Sequence, residues 1–173
     1  GGRGVIQQTV DLLANNFIAS TSVVTQNLVL SPNVLEAGWR YKIRLDVEDA
    51  NGIAAAFVNV EENRPPSGGS VLAFPKTGTA MQTEYRLVAD AWTDPDPPLA
   101  YRFTVKVKGE SGQATQLQDF SPLAEYKGTL PGGLDDQDGA VIVSVEVKDS
   151  LGAISQAKQI EVLSKWPVIK SEA

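Results

Sequence analysis

The stretch Tyr41-Lys42-Ile43-Arg44-Leu45-Asp46-Val47-Glu48-Asp49-Ala50-Asn51-Gly52 alternates apolar and polar residues up to its last few positions. Tyr41, Ile43, Leu45 and Val47 fall on one side of an extended chain, and Lys42, Arg44, Asp46 and Glu48 on the other. A period of two marks a half-buried antiparallel strand. Asn-Gly is the strongest short hairpin signal, and Ile53 to Val60 returns as the partner strand. The pattern recurs in Ala140-Val141-Ile142-Val143-Ser144-Val145-Glu146-Val147-Lys148-Asp149-Ser150-Leu151-Gly152, with Asp149 and Gly152 in the places of Asp49 and Gly52, an offset of 100 residues. That offset is the size of one β-sandwich domain. The return strands end in Val60-Glu61 and Val162-Leu163, and proline follows each, at Pro65-Pro66 and Pro167. A repeat of this period predicts an all-β chain of tandem antiparallel sandwiches, fibronectin type III or immunoglobulin-like in kind.

Outward from the repeat, Asn63-Arg64-Pro65-Pro66-Ser67-Gly68-Gly69 reads as a stop. Adjacent prolines donate no ladder hydrogen bonds, and adjacent glycines accept backbone angles other residues refuse. Residues 1–63 are therefore assigned to the C-terminal part of a first sandwich, 64–69 to a linker, 70–164 to a second sandwich and 165–173 to the start of the next linker. Within the second, strands are expected at Ser70–Phe74, Glu84–Trp92, Ala100–Lys108, Glu125–Leu130, Gly139–Asp149 and Ala153–Leu163, with Gly109–Ser121 a polar loop. The first sandwich shows only its last three or four strands. Residues 1–26 are the least readable: Val5 to Ile18 fits a short amphipathic helix or two strands, and Ser20 to Thr25 looks extended. Too few residues precede Leu28 for three more strands, so the opening half is expected to lie outside this chain. The start Gly1-Gly2-Arg3-Gly4, without Met, reads as a segment of something longer. The Leu35…Gly38…Tyr41 spacing is that of a tyrosine corner, in which a Tyr hydroxyl reaches back to the preceding backbone.

The chain has neither Cys nor His. That removes thiol nucleophiles, imidazole bases and the commonest zinc and copper ligands. Serines have no His base, Gly68-Gly69 lacks the helix and Lys of a phosphate loop, and the carboxylates lack a positioned partner, so no enzyme is expected. Net charge is −6 and the pI about 4.7. Without a Lys/Arg cluster there is no basic surface for nucleic acid. No apolar run approaches the ~20 residues of a membrane span, so membrane contact by this segment is not expected.

Trp92-Thr93-Asp94-Pro95-Asp96-Pro97-Pro98-Leu99-Ala100-Tyr101-Arg102-Phe103 reads as strand, stiff turn, strand. Trp92, Tyr101 and Phe103 would cap one end of the core, while Asp94 and Asp96 would accept backbone N–H bonds inside the turn. In a sandwich this turn, the Asp149 turn and the incoming chain share one pole. Asp94, Asp96, Asp149 and Glu61 could thus converge on a Ca²⁺ ion at the joint between domains, against the plainer reading of a solvated loop and a turn aspartate; no other cofactor is expected. The run Asp135-Asp136-Gln137-Asp138-Gly139 has EF-hand composition but not its register: with Gly139 sixth, Leu134 falls at position one and Val145 at twelve. It is read as a polar turn.

Pro65-Pro66-Ser67-Gly68-Gly69, then Pro75 to Leu87, then the Trp92 to Phe103 run, resembles the receptor-for-egg-jelly (REJ) module of polycystin-like membrane proteins and sperm receptors. Leu130-Pro131-Gly132-Gly133 is similar to a later step of the same pattern, and the resemblance covers roughly residues 20 to 163. Members of that family often carry Cys just after the Gly-Gly pair and just before the Trp. Here those places hold Ser70 and Ala89–Ala91, so the implied disulfide is absent and the relative a divergent one. The resemblance implies a non-catalytic extracellular structural or adhesive module of a membrane-anchored receptor on a cilium or flagellum. Its partners would be the other domains of the parent chain and proteins such as a polycystin channel or an extracellular filament. The alternatives are a carbohydrate- or ligand-binding module, for which Trp39 and Trp166 are the candidate contacts, a glycosidase accessory domain, and a subunit of a secreted fibre.

Overall fold

The computed structural model describes residue 19 and residues 27–168. The chain divides into two units, Gly1–Glu62 and Asn63–Ala173. The readings of Val5–Ile18 and Ser20–Thr25 lie outside the described residues.

In the first unit, β1 (Arg40–Asp49) and β2 (Gly52–Glu61) form an antiparallel hairpin in unbroken register from Arg40↔Glu61 to Asp49↔Gly52. The Asp49 carboxylate caps the turn, accepting the amides of Asn51 (2.7 Å) and Gly52 (3.1 Å). The amide of Glu36 donates to the Tyr41 hydroxyl at 2.6 Å, which is tyrosine-corner geometry. Among the described residues the three or four strands expected here reduce to this hairpin and one isolated bridge, Ala19↔Leu30.

The second unit has two sheets. One is antiparallel, in the order β3 (Ser70–Phe74), β5 (Tyr85–Asp90), β8 (Glu125–Gly128). The other runs β4 (Thr77–Thr79), β10 (Lys158–Lys165), β9 (Ala140–Lys148), β6 (Ala100–Val107), β7 (Thr115–Ser121). Among the described residues only β4 and β10 pair in parallel. Period-two patterning explains how the layers meet. Val141, Val143, Val145 and Val147 of β9 are fully buried, while Ile142, Ser144, Glu146 and Lys148 are half-buried on the outer face. Val71, Ala73, Tyr85, Leu87, Ala89, Phe103, Val105, Leu130 and Val162 complete the core. Tyr85 sits at its centre and donates its hydroxyl to the Leu163 carbonyl (3.2 Å), which satisfies a polar group that burial would otherwise leave costly. No closed barrel forms: the sheets stay separate layers, as the sandwich reading requires.

The structure corrects several expectations. Thr115–Ser121 lies in the stretch read as loop, yet it is strand β7. Gln116, Gln118 and Asp119 conceal it, because an edge strand paired on one side to β6 tolerates polar residues. Register shifts between Tyr101, Phe103 and Thr104 further break its pattern. Strand β4 was not expected at all; three residues show no periodicity, and only the distant β10 holds it. The last strand begins at Lys158 rather than Ala153, since Ile154 makes only a single bridge to Lys148. Asp135–Gln137, read as a turn, is one turn of 3-10 helix.

The Gly-Gly pair has a packing reason. The Trp92 indole lies against Gly69 and its N–H donates to the Ser70 carbonyl (3.3 Å); a Cβ on Gly69 would fall 2.2 Å from the ring. Gly69→Ala should therefore destabilise the second unit by about 1–3 kcal/mol, the usual cost of forcing extra volume into a packed site. Gly112→Ala, where nothing lies within 4 Å, should stay within ~0.5 kcal/mol. Urea unfolding followed by tryptophan fluorescence measures both.

Candidate functional site

Three segments converge at the pole of the second unit where its chain enters. The incoming segment bridges the turn after β5 through reciprocal backbone bonds of Ser67 and Thr93, each 3.0 Å. The Ser150 amide, in the turn between β9 and β10, donates to the Asp96 carbonyl at 3.1 Å. The Asn63 side-chain amide donates to Asp149 Oδ2 at 2.6 Å.

Asp149 is the hub. It is 4% exposed, and its Oδ1 also accepts the amides of Leu151 and Ala153, both at 2.9 Å. Burial acts to raise the carboxyl pKa, but hydrogen bonds from the Asn63 side chain and the Ala153, Gly152 and Leu151 backbone outweigh it, and the group sits below the ordinary value of 3.8. The equivalent Asp49 caps its turn in the same way but is exposed. The difference is the company: Asp149 has a chain segment to hold, and Asn63 commits its amide N–H to it while its own Oδ1 is buried with no hydrogen-bond partner.

The residues expected to share a cation are engaged otherwise. Asp94 Oδ1 accepts the Asp96 amide (2.8 Å), the turn role foreseen for it. Asp149 is saturated by protein donors. Glu61, in the first unit, pairs with Arg40 at 3.0 Å. Among the described residues no three acidic side chains group as a metal ion would need. Phe103 is fully buried, and Trp92 and Tyr101 pack half-buried against the core. Pro66 is buried and Pro65 half-buried in the entering segment, and Gly68 takes a φ of 79° beside Thr93.

Two features escaped the sequence reading. Phe120 of β7 lies under two cations, Arg102 and Lys148, each 4.5 Å from the ring centre, and Arg102 is also paired with Glu146 at 2.6 Å. A concealed strand hides its aromatic with it. The C-terminal end of β10 is gripped from both sides. Ala80 donates to the Lys165 carbonyl (2.7 Å), Gly133 to that of Ser164 (2.9 Å), and Ser164 to that of Gly139 (2.8 Å). Trp166 follows, 55% exposed, against Gly132; Trp39 of the first unit is 45% exposed.

The sequence matches the REJ domain family over residues 6–165, a span that includes β1 and the end of β10. The chain belongs to the REJ domain family. Human Polycystin-1 is a curated relative, 29% identical over 149 residues, which is 82% of this chain and 3% of that protein. The Ser70 position noted for this REJ domain stands opposite Asp90 on adjacent strands, next to the alanines read as the second missing cysteine position. No helix among the described residues is long and apolar enough to cross a membrane.

The lowered carboxyl of Asp149 fixes the sign of a pH effect. Its stabilising contribution is complete above the unfolded value, near the ordinary 3.8, and is lost as pH falls through the lower folded value. Asp149→Asn should lower the urea midpoint at pH 7, and the gap to wild type should narrow at pH 3. Asn63→Ala and Asp149→Ala should each cost about 1.5–3 kcal/mol as bonds to a buried charge are lost, and the double variant should cost less than their sum, as a double-mutant cycle will show.

Proposed function

We propose that this segment is a non-catalytic, receptor-type extracellular module that bears load between neighbouring domains of a longer chain. The observation that carries the reading is the parallel β4–β10 pair. Thr77, Gly78 and Thr79 stand opposite Leu163, Ser164 and Lys165. The chain enters at the Asn63–Asp149 pole, and β10 runs away from that pole toward Trp166. Tension on the two ends would slide β4 against β10 in shear, loading their hydrogen bonds together rather than one by one. The pole bonds keep residues 63–67 out of the extensible length, so that force reaches the sheets directly. Membership of the REJ family and the likeness to Polycystin-1 support the receptor context. In that context the parent is anchored in a membrane, is displayed on a cilium or flagellum, and meets a polycystin channel or an extracellular filament.

A second reading, recognition of a carbohydrate, is favoured by the exposure of Trp39 and Trp166. It predicts loss of glycan-array binding in Trp39→Ala and Trp166→Ala.

Single-molecule pulling through the two ends of residues 63–168 tests the load-bearing reading. Ala80→Pro removes the amide that bonds Lys165 and should lower the unfolding force of the second unit clearly. Lys158→Ala, at the other end of β10, should leave it unchanged. Equal forces for wild type and Ala80→Pro would sink the reading.

A further inference from the structure

The smaller sheet of the second unit ends on an open edge. Among the described residues β8 has β5 on one side and no strand on the other. The Ala89 amide donates to the Ala124 carbonyl at 2.8 Å, continuing the register that sets Leu87 opposite Tyr126 and Tyr85 opposite Gly128. Bonded and non-bonded pairs alternate along an antiparallel ladder. Ala124, Tyr126 and Gly128 therefore turn their backbone N–H and C=O groups toward β5, and Glu125 and Lys127 turn theirs to the open edge. Among the described residues no backbone group takes these up.

A cavity of about 510 Å³ borders the same edge, lined by the run Leu123–Lys127, by Val88 of β5 and by Gln118 of β7. The Gln118 side-chain amide donates to Ser121 Oγ (2.9 Å) and to the Leu123 carbonyl (3.0 Å), which pins the turn from β7 to β8 at the cavity wall. On the outer face of the sheet, Leu72, Val88 and Glu125 form one cross-strand row, and Phe74, Arg86 and Lys127 the next. Leu123, 64% exposed, adds to the apolar end beside Val88. Glu125 holds both Arg86 (2.6 Å) and Lys127 (3.1 Å), so two cations share one carboxylate and one positive charge is left unmatched.

We infer that β8 takes up an extended segment of a partner protein as a fourth, antiparallel strand of the smaller sheet. That segment carries an apolar side chain beside Glu125, in the hollow of Val88 and Leu123, and an acidic one two residues away, beside Lys127. Unpaired edge groups are matched by another extended backbone, and alternate side chains supply the specificity. Positions two apart on a strand share a face, and opposite charges directly across a strand pair are favourable. Gln118 of β7 walls the cavity on the side of the other sheet, so the edge admits a single strand rather than the flush edge of a second copy. The inference stands apart from the load-bearing reading, which concerns β4 and β10.

The probe is a short fluorescent peptide of alternating Thr and Val, with Asp in place of one Val, added to residues 1–173. Fluorescence anisotropy should show saturable binding. N-methylation at the Val and Asp residues, whose amides would face β8, should weaken it about tenfold or more, and N-methylation at the Thr residues should not. A peptide with Lys for Asp should bind more weakly, and Lys127→Glu in the protein should restore it. Lys127→Pro removes an outward amide without touching a bond to β5, so it should weaken binding and leave the fold in place. Hydrogen exchange on the unaltered chain gives a second measure. The Glu125 and Lys127 amides should exchange fast alone and about tenfold slower with saturating peptide, while the Tyr126 amide, already bonded to β5, should not change. Equal binding of the two N-methylated peptides, or no saturable binding, would overturn the inference. So would slow exchange of Glu125 and Lys127 in the peptide-free chain that deepens with protein concentration, which would make a second copy the occupant.

Discussion

The column of valines on β9 is the constraint on which the second unit depends. Four side chains at a period of two, each with no exposure, require a facing layer along the whole strand. The β3-β5-β8 sheet supplies it, with Tyr85 and Leu87 at its middle. Phe103 and Val105 extend the buried wall onto β6, the neighbour of β9. Everything outside this interface is less constrained: β7 is polar and shifts register, β4 is three residues long, and the outer face carries charge pairs such as Arg102–Glu146. The first unit offers the contrast. Its hairpin has the same alternation and a continuous ladder, yet Leu45 and Val47 are exposed where Val145 and Val147 are fully buried.

Both ends of the second sandwich are tied by buried polar bonds rather than by more apolar surface. At the entry, one carboxylate gathers four donors from the turn and the incoming segment. At the exit, the backbone of β10 is bonded to Ala80, Gly133 and Gly139, and glycine at 133 lets the two backbones meet where a Cβ would fall 2.2 Å from Gly139. Buried charge–dipole bonds are directional, so they fix where the chain goes as well as how firmly it is held. The entry and exit of the chain in the second unit are thus set by the fold.

Much of the architecture was legible because alternation is a local property. Ser70–Phe74 is the strand expected, and the strands around Leu87, Phe103, Tyr126, Val145 and Val162 lie where the pattern put them, within a few residues at their ends. β7 was hidden because an edge strand has one paired side and no need of an apolar face. β4 was hidden because its partner lies more than eighty residues away. At the candidate site, the gathering of Asn63, Asp94, Asp96 and Asp149 at one pole follows from sandwich topology. The turn role of Asp94 was legible as well; the bond from the Asn63 amide to Asp149 was not, because the two residues lie 86 positions apart and no spacing pairs them.

By itself the sequence determined the class of fold, the 100-residue repeat and the family pattern, since each rests on residue type at fixed spacing. Only the tertiary structure decided which aspartate is buried. Asp49 and Asp149 sit at equivalent positions and cap their turns alike, but one is in water and the other is closed over by Asn63. The reason is physical: a carboxylate can stay charged out of water only where donors from distant parts of the chain arrive together, and sequence spacing does not specify that convergence.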